Sequence, residues 1–165
     1  MKYSPLIIGI LSYHGDVIEH INTTNNALTK LKIKGLIKEV RTSQDLNGLS
    51  GLIIPGGEST VMHKLSIRNN IFEKIKKVPY IFGTCAGAIM LAKKIHHSAQ
   101  DQKSFNLMDI TIDRNSYGKQ SDSFSTELIC PIGKLKGIFI RAPRILSTGR
   151  KVKTLITFNG DIVAC

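Results

Sequence analysis

The chain has 165 residues and no tryptophan, and its 23 lysines and arginines against 12 acidic residues give a formal net charge of +11 at pH 7. Hydrophobic residues make up 42% of the chain and charged residues 21%, a composition that excludes a disordered or collagen-like protein. We expect one domain over 1–165, which buries roughly 70% of its unfolded surface and needs no disulfide or structural metal.

Strand and helix signals alternate in the first part of the chain. The apolar run Leu6–Leu11 predicts a strand covered on both faces, and helix-spaced apolar residues after Asp16 predict a helix with Asp16 as its N-cap. Further strands are predicted at 36–40, 51–55 and 80–83, and helices at 71–77 and 86–95. This alternation predicts an α/β fold with a mostly parallel central sheet.

The second part of the chain is predicted to be rich in strands. Strand-like runs lie at 108–113, 124–130, 137–141, 154–158 and 161–164, without comparable helical segments between them. Asn159-Gly160 separates the last two runs and is typical of a two-residue hairpin turn. We therefore expect a three-layer α/β domain with a β-rich C-terminal portion.

Composition argues against two classes of partner. The lysines are scattered and not interleaved with aromatic residues, so we expect a solvated basic surface and no nucleic-acid partner. The longest uncharged stretch, 78–92, is too short for a bilayer span and is broken by proline and glycine, so we expect no membrane association. The three cysteines lack zinc-ligand spacing and predict a reducing, cytoplasmic setting without a metal site.

The segment from Tyr80 to Met90 is the most informative about chemistry. A short strand leads through Gly83-x-Cys85-x-Gly87 directly into a helix, which is the nucleophile-elbow pattern with Cys in place of Ser. Backbone N–H groups at the start of a helix favour thiolate over thiol. Cys85 is therefore the candidate nucleophile, and the alternative is a small buried apolar residue, as most free cysteines are.

A second glycine turn, Gly56-Gly57-Glu58-Ser59, follows the predicted strand at 51–55. Backbone N–H groups of such a turn can stabilise an oxyanion, and Glu58 and Ser59 can contact a small polar ligand. Taken alone, the pattern is also that of an ordinary loop. Because active sites of parallel sheets lie at the carboxyl ends of the strands, we expect the loops after Pro55 and Gly83 to meet.

Five segments together carry a family resemblance: 11–20 (LSYHGDVIEH), 51–60 (GLIIPGGEST), 82–87 (FGTCAG), 114–124 (RNSYGKQSDSF) and 139–143 (FIRAP). In this order and spacing the chain resembles, from residue 8 to 165, the glutaminase subunits of pyridoxal 5'-phosphate synthase, a family of class I glutamine amidotransferases. The resemblance implies a flavodoxin-like domain that hydrolyses L-glutamine in vitamin B6 biosynthesis and needs no cofactor. The ammonia passes to a separate synthase subunit in a hetero-oligomeric complex.

The resemblance also implies roles for individual residues. Cys85 is the nucleophile, and the backbone N–H groups of Gly57 and Ala86 hold the oxyanion. Glutamine is bound by Gly57, Glu58, Ser59, Arg114, Ile140 and Arg141. The chemistry fits, because a zwitterionic substrate needs a cation for its carboxylate, an acceptor for its ammonium and N–H donors at the amide carbon. Outside these motifs, both arginines would be interpreted as surface charges.

The sequence departs from the family pattern in two places. The family's His-Pro-Glu segment, whose His and Glu complete the catalytic triad, is not found, and none of the 5 histidines stands in His-x-Glu register. We therefore expect a C-terminally truncated family domain with doubtful turnover. His14 stands where the family usually has Gln, and a substitute base there is one alternative. The others are a homologue that only binds glutamine or the synthase, and another amidotransferase or hydrolase with a Cys elbow.

Overall fold

The computed structural model describes residues 5–114, 116 and 123–165. By their internal contacts the residues fall into two compact units, Met1–Met90 and Leu91–Cys165. The expectation of a single domain over 1–165 stays a prediction. No helix within the described ranges is both long enough and apolar enough to cross a membrane.

The first unit is built on a parallel four-stranded sheet. Its strands are β1 (Leu6–Leu11), β2 (Gly35–Val40), β3 (Gly51–Ile54) and β4 (Ile81–Gly83), in the order β2-β1-β3-β4. Its helices are α1 (Val17–Lys30), α2 (Ser59–Arg68), α3 (Ile71–Lys74), which continues as a 3-10 turn at Ile75–Lys77, and α4 (Ala86–Leu91). Every strand pair is parallel, as the alternation of strands and helices predicts.

The core of this unit is formed by the two central strands. Ile10 and Leu11 of β1 and Ile54 of β3 have no exposed surface, because these strands have a hydrogen-bonded neighbour on each side. Met62 of α2 and Ile71 of α3 are equally buried. The carboxyl ends of β1 and β3 are thus fixed by packing, and the loops that follow them start from rigid positions.

The second unit contains a mixed five-stranded sheet and a separate hairpin. The sheet is formed by β5 (Ala92–His96), β6 (Met108–Asp113), β9 (Arg144–Thr148), β10 (Ile156–Phe158) and β11 (Asp161–Ala164), in the order β10-β11-β9-β6-β5. The hairpin is β7 (Phe124–Cys130) with β8 (Gly133–Phe139). The two share a core in which Leu128, Phe139 and Ile156 are buried together.

Most sequence predictions of secondary structure are confirmed. The strand predicted at 137–141 is wrong at both ends, because β8 runs over Gly133–Phe139, and the sequence predicts no strand at β9 (Arg144–Thr148). The parallel sheet, the β-rich second part and the last hairpin are present, and Asn159 and Gly160 both have positive φ, as the predicted turn requires. The helix predicted over 86–95 is wrong beyond Leu91, because the following residues pair with β6 as β5. Asp16 occupies the N-cap position of α1, but its side chain makes no capping hydrogen bond.

Candidate active site

Cys85 lies on the turn between β4 and α4. Its φ of +48° is left-handed, a strained conformation for a residue with a side chain. Backbone hydrogen bonds hold the turn on both sides: the Thr84 N–H donates to the Ile54 carbonyl at 3.1 Å, the Gly87 N–H to the Thr84 carbonyl at 2.8 Å, and the Ile89 N–H to the Cys85 carbonyl at 3.1 Å. Cys85 itself remains exposed. This is the geometry of the predicted nucleophile elbow.

Loops after three parallel strands converge at this turn. A Cβ built on Gly56 would lie 3.5 Å from the Cβ of Cys85 and 2.8 Å from Oδ2 of Asp16. A Cβ on Gly15 would lie 1.9 Å from the Gly56 carbonyl oxygen, so these two backbones touch. The predicted meeting of the loops after Pro55 and Gly83 is confirmed, and the loop after β1 joins them.

The Cys85 thiol is subject to opposing influences. Although the residue is exposed by surface area, desolvation of the thiol among these loops is the largest influence and raises its pKa. Backbone N–H groups of Ala86 and Gly57 donate hydrogen bonds to the sulfur and lower the pKa, and the nearby charges of Asp16 and Glu58 raise it. The net result is a pKa above the ordinary value. The expected N–H donors are present, whereas the effect of the Asp16 and Glu58 charges on the thiol is not predicted by the sequence.

The same two N–H groups are those predicted to hold an oxyanion. Both donate hydrogen bonds to the sulfur of Cys85, so a carbonyl group bonded to that sulfur would have these donors within reach. Gly57 has a φ of +142°, which favours glycine at this position. The arrangement therefore offers two backbone donors to the carbonyl oxygen of a thioester formed at Cys85.

Glu58 and Ser59 start helix α2 beside the thiol. Oε1 of Glu58 accepts hydrogen bonds from the Thr60 N–H at 3.2 Å and from the Thr60 hydroxyl at 2.8 Å, so Glu58 is the N-cap of α2. Ser59 is only 2% exposed. The structure thus gives Glu58 a capping role, while its charge remains close enough to Cys85 to raise the thiol pKa.

Arg114 and the segment Ile140–Arg141 belong to the second unit. Arg114 directly follows β6, and its guanidinium donates a hydrogen bond to Oε1 of Gln102 at 3.0 Å. Ile140 and Arg141 directly follow β8 and are exposed, and Arg141 has a φ of +47°.

The register of the second unit relates these residues to each other. Asp113 of β6 pairs with Arg144 of β9 in an antiparallel ladder. Arg114 and the segment that precedes Arg144 therefore lie at the same end of this strand pair. Residues 115 and 117–122 of the predicted 114–124 motif lie outside the described residues.

Sequence reasoning missed two residues beside the elbow. The sequence predicts only a helix cap for Asp16 and no role for His20, yet Nε2 of His20 lies 3.2 Å from Oγ1 of Thr84. His14, considered as a substitute base, lies beside Gly57, where a Cβ would be 3.1 Å from Nδ1 of His14. Their position after a parallel strand was the available signal, because carboxyl ends of such strands share one edge.

Comparison with known proteins gives consistent results. The SNO glutamine amidotransferase family matches residues 10–165. Pyridoxal 5'-phosphate synthase subunit PdxT of Pyrococcus furiosus is 40% identical over 163 residues, covering 94% of this chain and 83% of that protein. The protein of the same name from Thermotoga neapolitana is 43% identical over 163 residues, covering 94% and 82%. A crystal structure of a glutamine amidotransferase matches with a TM-score of 0.81 at 37% identity, covering 94% and 82%. The predicted fold class is thereby confirmed.

Proposed function

The chain belongs to the SNO glutamine amidotransferase family, and from this premise we propose that it is the glutaminase subunit of a pyridoxal 5'-phosphate synthase. Its reaction is hydrolysis of L-glutamine to glutamate and ammonia. The single observation that carries the proposal is Cys85, held at a φ of +48° with two backbone N–H groups directed at its sulfur. That geometry suits acyl transfer through a thioester.

The chemistry proceeds in two steps at Cys85. The sulfur attacks the carboxamide carbon of glutamine, the C–N bond breaks, and the nitrogen leaves as ammonia with the proton that the thiol gives up. Water then attacks the resulting thioester, which releases glutamate and restores the thiol. In both steps the N–H groups of Gly57 and Ala86 stabilise the negative charge on the carbonyl oxygen.

The substrate-binding roles that the family resemblance implies are part of this proposal. The guanidinium groups of Arg114 and Arg141 hold the α-carboxylate, with Ile140 against the aliphatic part of glutamine. Glu58 accepts a hydrogen bond from the α-ammonium, in addition to capping α2, and Ser59 completes this part of the site. The proposal treats 1–165 as one glutaminase domain.

The partner in this proposal is the synthase subunit, which receives the ammonia in a hetero-oligomeric complex. The names of the relatives support this partner, because they describe subunits of a pyridoxal 5'-phosphate synthase.

The three cysteines are unpaired, which fits the reducing conditions of the cytoplasm.

The test is glutamine turnover by the chain mixed with a synthase subunit. The proposal predicts equal amounts of glutamate and ammonia, and no product from the Cys85→Ala variant. Because the printed sequence holds no His-Pro-Glu segment, acylation of Cys85 by an electrophilic glutamine analogue is measured separately. Labelling of Cys85 without turnover would show a homologue that only binds glutamine. The absence of both labelling and turnover would overturn the proposal.

A further inference from the structure

The side chain of His20 connects helix α1 to the residue just before the nucleophile. Its Nε2 lies 3.2 Å from Oγ1 of Thr84, and its Nδ1 lies 2.7 Å from the carbonyl oxygen of Asp16. The residues His20 and Thr84 are 64 positions apart in the chain and both are partly buried. This hydrogen bond between two side chains joins α1 to the elbow.

The two hydrogen bonds of the His20 ring define which atom donates. A carbonyl oxygen can only accept, so Nδ1 carries the hydrogen in its bond to Asp16. In the neutral ring Nε2 is then an acceptor, and the Thr84 hydroxyl donates to it. The hydroxyl of Thr84 is thereby held in one orientation.

Two groups of Thr84 make hydrogen bonds, each to a different element of the fold. Its N–H donates to the carbonyl of Ile54 at the end of β3, at 3.1 Å, and its hydroxyl donates to His20 on α1. The next residue, Cys85, has the strained positive φ. Backbone in this region persists only where surrounding contacts over-determine it. Both hydrogen bonds of Thr84 oppose relaxation of that turn.

We propose that His20 is a positioning residue for Cys85, which fixes the strained elbow by accepting the hydrogen bond of the Thr84 hydroxyl. The sulfur receives the N–H groups of Ala86 and Gly57 only while the turn keeps this shape. Without the acceptor, Thr84 can rotate, the turn samples other conformations, and the thiolate has fewer donors. The inference rests on the proposed function for its meaning in catalysis, but the thiol can be examined without glutamine.

All the variants proposed here keep the charges of Asp16 and Glu58, and all keep His14, which lies beside Gly57. Asp16 and Glu58 both raise the pKa of Cys85 by their charge, and neither is changed. A shift in the pH dependence of Cys85 alkylation therefore reports on the backbone donors and on the geometry of the turn.

The experiment measures the rate at which iodoacetamide modifies Cys85, by peptide mass spectrometry across a pH series. His20→Leu and Thr84→Val remove one partner each, and His20→Gln and Thr84→Ser keep an acceptor and a hydroxyl. His96→Leu and Thr29→Val are matched controls, since both side chains are exposed and away from the elbow in sequence. Cys130 in the same samples is the internal reference.

We expect His20→Leu and Thr84→Val each to slow modification of Cys85 by about fivefold, the equivalent of one neutral hydrogen bond, and to shift its pH midpoint upward. The double variant is expected to be no slower than His20→Leu, because that substitution already removes the Thr84 contact, along with the Nδ1 bond to the Asp16 carbonyl. His20→Gln and Thr84→Ser are expected to stay within about twofold of the unchanged chain.

Three results would overturn the inference. These are unchanged rates in folded His20→Leu and Thr84→Val, multiplied effects in the double variant, and a His20→Gln variant as slow as His20→Leu. Thermal unfolding identifies variants that fail to fold, and Thr84→Val, which alters no atom of α1, serves if His20→Leu fails. Iodoacetamide needs no glutamine site, so loss of labelling by a glutamine analogue with these rates intact would count against the proposed function alone.

Discussion

Gly87 lies directly against the carbonyl group of Ile54. A Cβ built on Gly87 would be 2.0 Å from that oxygen, well inside the closest approach of two non-bonded atoms. The same oxygen accepts the hydrogen bond of the Thr84 N–H at 3.1 Å. The first turn of α4 is therefore pressed onto the end of β3, and this contact determines where Cys85 is placed.

Gly87→Ala is expected to destabilise the chain and displace the elbow. The added methyl group must push α4 away from β3, which we expect to lower the free energy of unfolding by about 3 kcal/mol. The rate at which iodoacetamide modifies Cys85 should change together with the free energy of unfolding. The control is Gly48→Ala, where φ is +75° and the site is open, so only backbone strain of about 1 kcal/mol is expected. If Gly87→Ala and Gly48→Ala lowered the free energy of unfolding in urea by the same amount, this would contradict the close contact between Gly87 and Ile54.

Asp16→Asn is expected to make Cys85 more reactive near neutral pH. The negative charge of Asp16 raises the pKa of the Cys85 thiol, so its removal lowers that pKa and increases the thiolate fraction at any pH below it. We expect the alkylation rate at pH 7.5 to rise by about twofold to fivefold. Glu19→Gln, in the first turn of the same helix, is the matched control. A slower rate in Asp16→Asn would show that the carboxylate helps the thiol.

Arg114→Gln and Arg141→Gln are expected to separate substrate binding from thiol chemistry. Each should weaken labelling of Cys85 by an electrophilic glutamine analogue by about tenfold or more, because one charged hydrogen-bond partner of the α-carboxylate is lost. Alkylation by neutral iodoacetamide should stay nearly unchanged, and Arg150→Gln should affect neither reagent. If both reagents lost rate equally, the two arginines would support the fold and not bind glutamine.

Asp45 is expected to stabilise the first unit in a pH-dependent way. Desolvation opposes ionisation of this carboxylate, but the N–H groups of Arg41 and Thr42, the Thr42 hydroxyl and Lys38 outweigh it and lower the pKa to about 2. Since the folded-state pKa lies below the unfolded one, the contribution is full above about pH 4 and is lost as the pH falls towards 2.

The measurement for Asp45 is urea unfolding at several pH values. Asp45→Asn is expected to lose on the order of 1–2 kcal/mol at pH 7, after allowance for solvent screening of a partly exposed group. The difference from the unchanged chain should shrink below about pH 4 and fall to a small fraction of its pH 7 value near pH 2. A difference that is the same at both pH values would mean that the ionised form of Asp45 does not stabilise the fold.

Local patterns were sufficient for the elements that build the elbow. Three local patterns each predict the conformation of their own segment: the apolar run of β1, the glycines around Cys85 and the Asn159-Gly160 turn. All three conformations are found in the structure. The meeting of the loops after β3 and β4 followed from a general property of parallel sheets. These predictions needed no knowledge of distant contacts.

Distant contacts decided what the sequence could not reveal. The apolar pattern from Ala86 continues past Leu91 without a helix-breaking residue, and only pairing with β6 converts 92–96 into a strand. Likewise, Asp16 and His20 have ordinary helix-start and helix-surface positions. Asp16 comes close to Cys85, and His20 to Thr84, because the sheet brings together segments that are about 70 residues apart in the chain.

A glutamine site centred on Cys85 can be tested by protection of this residue from labelling. The chain is treated with a glutamine analogue that carries a diazoketone in place of the carboxamide, with and without excess L-glutamine, and each of its three cysteines is quantified by peptide mass spectrometry. We expect Cys85 to be labelled first, and faster as the pH rises, and we expect L-glutamine to protect it while leaving Cys130 and Cys165 unaffected. Preferential labelling of Cys130, or labelling of Cys85 that L-glutamine does not slow, would contradict this expectation.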